Sequence, residues 1–289
     1  MPHTSSSLLR TAFDQYLGLF PTNEFEPVED YLSYDLESYD AVRWDTLGHA
    51  LVTDDLRELI NVINHWHSYL IRWSAWNHVV ARHNDNDAWE LRREFLEAAV
   101  HFCLLQPSAL RDSFVFFTTN AVHQVRLASE VNYPDRMDGD PTPSVPNPKP
   151  LSRRRKEKRL QSLLSHWVEA APLMPSLHCL DDDAYRRSTS DYRSRTSHSI
   201  GPRLGIGITR TVTRSLVPAE KLVAKSDGLY YPQRIPGVLW VSYGYGGTDP
   251  LDYEESRLAN LDQYRKARTY YSNLRAVLAS RMKRMPASK

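Results

Sequence analysis

The sequence predicts a mainly α protein: a multi-helix bundle with a small β-hairpin or ribbon inserted before a C-terminal helix. Three observations carry this reading. Apolar residues recur at three-and-four spacing over long windows, most regularly from Leu56 to Val80. Strand-like pieces rich in Gly, Tyr and Val are confined to about 205–245. With 41% hydrophobic and 25% charged residues, a chain of 289 residues suits a soluble globular protein with a substantial core.

Taken in order, residues 5–19 form a short amphipathic helix, and Pro21 to Asp45 is acidic and aromatic, an arm whose rings pack onto the core or face a basic partner. Thr53, followed by Asp54 and Asp55, gives an N-cap for a long helix to about Arg82. His83 to Asp87 is a turn and the cap of the next helix, about 88–105. Pro107 and Ser108 reset the chain before a third helix, about 109–131. Six prolines within 134–150 exclude helix and central strand, which makes that segment an extended, mobile loop. Ser152 then caps a helix that begins with Arg153, Arg154, Arg155 and Lys156, and Asp181 to Asp183 open another that runs to the region of Arg193 and His198. Short strands are expected at 206–213, 228–231 and 238–243, the last two pairing across Pro236-Gly237. A helix from about 250 to 282 closes the chain. The expected organisation is an acidic and aromatic arm over 1–50 and one helical domain over 51–289.

Several function classes find no footing. No run of about 18 apolar residues occurs, so no membrane span is expected. The opening Met1 to Arg10 lacks the basic and apolar regions of a secretory signal. Cys103 and Cys179 have neither pairing nor metal spacing, which points to a reducing, cytoplasmic location. His65 and His67, two apart on a helix, point roughly 200° from each other and cannot share an ion, so no metal site is expected. No Gly-rich phosphate loop, GxSxG elbow or HExxH is present, and no cofactor is expected.

The net charge of +1 hides an asymmetry. Residues 1–150 hold 11 Lys+Arg against 22 Asp+Glu, net −11, whereas 151–289 hold 25 against 13, net +12. The basic half can meet phosphates, or the acidic half can neutralise it within the fold or across a dimer. The Arg-rich helix start opposes the helix dipole, so Arg153, Arg154 and Arg155 are candidates for RNA contact.

An arginine and a histidine a few residues apart can set a permanent cation and a proton-transfer group beside one phosphate. Chance alone produces about three such spacings in a chain with 11 histidines, and four occur: Arg43/His49, Arg72/His78, Arg159/His166 and Arg193/His198. Only the last falls at a helix-to-loop junction within the basic half, with Tyr192, Ser194 and Arg195 around it.

A mostly helical chain in which a late helix ends in Arg-x4-His resembles the HEPN superfamily. That resemblance implies a metal-independent endoribonuclease, a toxin or defence effector, with RNA as substrate and two protomers sharing one cleft. Arg193 and His198 match the signature, and Ser194 stands where family members carry a polar residue, often Asn, Asp or His. Ser194 is counted with the catalytic pair, and Arg195 and Tyr192 with the RNA contacts. A homodimer and a protein partner such as an antitoxin are implied, and no membrane. Two other readings stay open: a non-catalytic helical interaction module that dimerises or docks a partner through its oppositely charged halves, and a nucleic-acid-binding protein using the helix from Arg153.

Overall fold

Helix formation follows the apolar periodicity, and the three longest helices supply the core. The computed structural model describes residues 2–19, 30–45 and 47–287, the side chains of 2–5 excepted; the arm expected over Pro21 to Asp45 therefore lies partly outside the described residues. Two compact units are present, one of residues 1–193 and 253–289, the other of residues 194–252.

In the first unit α1 (Pro2–Leu19) lies on α2 (Gly48–Val80). The Tyr16 ring stacks on Trp76 at 4.7 Å, and Trp76 stacks on Phe95 at 4.4 Å. All nine apolar positions expected to face inward along α2, from Leu56 to Val80, are buried. Thr53 does not cap this helix but sits inside it, its hydroxyl donating to the His49 carbonyl at 2.9 Å. Beyond α2, Asn84 caps α3 (Asp85–Leu91) by accepting from the Asn86 and Asp87 amides. One π-helical turn, Arg92–Leu96, leads directly into α4 (Glu97–Ser129).

Helix α4 runs unbroken through Pro107, where a reset was expected. Proline has no N–H to give to the carbonyl four residues back, here that of Cys103. The side chain of Asn260, on α9 (Tyr253–Met282), donates Nδ2 to that carbonyl at 2.9 Å and replaces the missing donor. Helices α2, α4 and α9 pack on one another around Trp66, Trp73, Phe114, Tyr264 and Tyr270, all fully buried.

The expected non-helical stretch 134–150 consists of turns and one short bridge, Thr142 to Val145. Helix α5 (Arg153–Leu164) follows, and Leu160 and Leu164 bury its inner side. Ser152 stands at its N-cap position without a side-chain cap bond. The chain continues through α6 (Leu173–His178), α7 (Asp183–Ser188) and α8 (Tyr192–His198). A single helix from Asp181 to His198 does not form, because Ser190 and Asp191 take positive φ of 50° and 51° and break it.

The second unit is built on an antiparallel pair, β1 (Thr209–Ala224) and β2 (Tyr230–Thr248). The ribbon is longer than expected and turns elsewhere. Its reversal is at Asp227-Gly228, where Gly228 has φ 79°, an Asp-Gly signal of the kind that hairpin turns demand. Pro236-Gly237 lies instead in an irregularity of β2, opposite the step between Pro218 and Glu220 where the register shifts.

Candidate functional site

Helix α8 carries the Arg-x4-His pair, and the division between the two units falls inside it, directly after Arg193. Arg193 stands in the first turn of this helix and His198 closes it, so the pair spans a short helix instead of leaving its end. Both side chains are exposed, and neither has a hydrogen bond or ion pair among the described residues. On a regular helix, residues five apart point about 140° from each other.

The neighbours are committed to structure. Tyr192 is buried, with its hydroxyl 2.9 Å from His101 Nδ1, and cannot offer its ring to a base from there. Arg195 donates Nη1 to the Thr248 hydroxyl at 2.8 Å and Nε to the Ile200 carbonyl at 3.1 Å, tying the end of α8 to the end of β2. Ser194 is half-buried.

The basic start of α5 lines a cleft of about 530 Å³ in the first unit, together with Arg111, Glu157, His178, Asp181 and Arg186. Its charges are largely matched. Arg111 holds Glu157 through Nε at 3.0 Å and Nη2 at 2.9 Å and donates Nη1 to the Leu180 carbonyl. Arg153 lies 2.9 Å from Asp112 and 3.5 Å from Asp181, whose carboxylate also takes Arg186 at 2.7 Å. Arg155 reaches Asp138 at 3.5 Å, and Arg159 donates to the Asp138 carbonyl at 3.0 Å. Of the three arginines singled out in the sequence, Arg154 alone lacks a partner among the described residues. The Arg111–Glu157, Arg153–Asp112 and Arg155–Asp138 pairs join the two halves inside one unit, and the carboxylates around Arg153 and Arg155 let cations stand at the start of α5.

The ribbon was the least legible element and is the most exposed. Fifteen residue pairs are in register, and large apolar side chains along it stay open to solvent, among them Val212 (61%), Leu216 (60%), Tyr243 (61%) and Tyr245 (88%). Alternation along each strand sorts the proximal half into two faces. Thr209, Thr211, Thr213 and Ser215 share one with Ser242, Gly244 and Gly246; Arg210, Val212, Arg214 and Leu216 share the other with Val241, Tyr243 and Tyr245. The period-two pattern over 209–217 and the Asp-Gly turn were the available signals.

Among the described residues, no group of three or more His, Cys, Asp or Glu side chains could hold a metal ion, and no helix is long and apolar enough to cross a membrane. Comparison of the chain with protein-family models, with curated proteins and with solved structures found no match.

Proposed function

We propose that the chain is a non-catalytic interaction module whose β-ribbon is a docking arm for a partner. The uncovered ribbon carries this reading. A two-stranded ribbon is marginally stable in water at best. Each large apolar side chain left exposed forgoes about 1.5–3 kcal/mol that burial supplies. A partner laid along the ribbon would recover that stabilisation. Hydrogen exchange on the purified chain tests the reading: ribbon amides should exchange far faster than those of α2, α4 and α9. Ribbon protection equal to that of the core, with no partner present, would show that the arm is already covered and would overturn it.

A second reading is favoured by Arg193 and His198, both exposed and without a partner among the described residues. It is the metal-independent endoribonuclease of the HEPN resemblance, acting across two copies, with Arg193 of one and His198 of the other meeting at one phosphate. His198 would move the proton of the ribose 2′-hydroxyl, and Arg193 would stabilise the charge that builds on phosphorus. The products would be a 2′,3′-cyclic phosphate and a 5′-hydroxyl. Mixing Arg193→Ala chains with His198→Ala chains in EDTA tests it. Each mixed dimer retains one intact site, so the mixture should recover roughly a quarter of the wild-type RNA cleavage; two silent chains that stay silent together exclude the composite site.

A further inference from the structure

We propose that the arginine-bearing face of the ribbon docks single-stranded nucleic acid, an inference that rests on the ribbon being a docking arm. Arg210 and Arg214 share this face with Tyr243 and Tyr245, and Arg214 stands directly opposite Tyr243. Neither arginine has a hydrogen bond or ion pair among the described residues. The two acids of the ribbon are occupied elsewhere. Glu220 lies 3.8 Å from Arg234, and Asp227 accepts from the Leu229 amide at 2.9 Å and the Tyr231 hydroxyl at 2.8 Å. The uncompensated charge on this strip is therefore positive, and it is interleaved with aromatic rings.

Charge and spacing select the occupant. A membrane strand needs about 9–11 residues of alternating apolar outward positions, whereas this face is interrupted at Arg210 and Arg214. A second copy laid face to face would bring the same uncompensated arginines toward one another. A nucleic-acid strand supplies both complements: phosphates for the guanidinium forks and planar bases for the tyrosine rings. Successive positions on one face of a strand are about 6.8 Å apart. That is twice the rise of about 3.4 Å per nucleotide in a stacked duplex strand. Tyr243 and Tyr245 thus suit two bases splayed apart, the form in which single strands present them.

Fluorescence anisotropy with the full chain and labelled oligouridine tests this, with oligothymidine and an RNA duplex as further arms. Both single strands should bind, and the duplex at least roughly tenfold more weakly. Tyr243→Leu with Tyr245→Leu keeps apolar bulk but removes the rings, and should weaken binding at least roughly tenfold without changing the salt slope. Arg210→Ser with Arg214→Ser should lower the slope of log K against log salt by about 1.4, the value for two phosphates on a single strand. Thr211→Ala with Thr213→Ala, on the opposite face, should leave affinity unchanged. No binding by the wild type, equal binding of duplex, or equal losses from both faces would overturn the proposal. If the oligonucleotides fail while the ribbon amides still exchange fast, the docking arm stands and its occupant is of another class, such as an acidic protein. If the ribbon amides are protected in the free chain, the docking arm itself falls.

Discussion

The Asn260 amide donates to the Cys103 carbonyl, the one that Pro107 leaves without a helical donor, at 2.9 Å. The same side chain donates to the Tyr185 hydroxyl at 2.8 Å and accepts from the Trp66 indole at 2.7 Å, all in a fully buried position. Helices α2, α4, α7 and α9 meet at one amide. Asn260→Leu should therefore lower unfolding stability by about 3 kcal/mol, since it strands buried donors and acceptors together. Pro107→Ala returns an N–H to Cys103, so the cost of Asn260→Leu should fall by about 1 kcal/mol in that background. Urea denaturation of the four chains measures the coupling, and strict additivity would refute the link.

Trp66 and Trp73 provide a contrast on one helix. Both are fully buried, but the Trp73 indole N–H has no hydrogen-bond partner among the described residues. Trp66→Phe leaves the Asn260 oxygen without its donor, whereas Trp73→Phe removes a polar group that was already unmatched. The first substitution should cost about 1–2 kcal/mol more than the second, read from chemical denaturation.

His67 should make stability depend on pH. Burial, reinforced by Arg268, lowers its pKa from 6.5 to about 4, and the ring stacks on Tyr264 at 5.5 Å with neither nitrogen hydrogen-bonded among the described residues. Between those values the unfolded chain binds more protons than the folded one. This contribution is therefore complete above pH 6.5 and is lost as pH falls toward 4. His67→Phe should flatten the melting temperature across that window and raise it at pH 5. An unaltered pH profile in the variant would contradict the assignment.

The two cysteines should separate cleanly. Cys103 is fully buried and its thiol pKa is pushed well up by burial, while Cys179 is exposed. A thiol reagent should titrate one group per native chain and the second only after denaturation. Two fast equivalents in the native protein would mean that the α4 core opens readily.

Where local pattern decides structure, the sequence was legible. Leu56 to Val80 announces the buried side of α2, and Asn84 announces the start of α3. Pro107 was misleading because the donor that rescues its helix comes from Asn260, more than 150 residues away, and no local rule contains it. The break before α8 rests on positive φ at Ser190 and Asp191, a conformation that only glycine, and at times Asn or Asp, announces in a sequence. Arg153 and Arg155 read as free cations because their partners, Asp112 and Asp138, come from an acidic half that sequence spacing does not bring near. For the Arg193/His198 pair the spacing was visible, but its angular consequence depended on α8 being helical throughout. The ribbon turn at Asp227-Gly228 was available and was overshadowed by the Pro-Gly nine residues later.

The proline pattern of the ribbon bears on solubility. An exposed ribbon offers two rows of backbone groups to which a stray strand can add, and apolar strands of this kind are aggregation-prone. Pro218 on β1 and Pro232 and Pro236 on β2 each delete a donor, and the register shift beside Pro218 bends the edge. The longest proline-free stretches lie in the proximal half, 209–217 and 237–248. Replacing these three prolines would convert an interrupted edge into a continuous one, and the arm into a template for fibres.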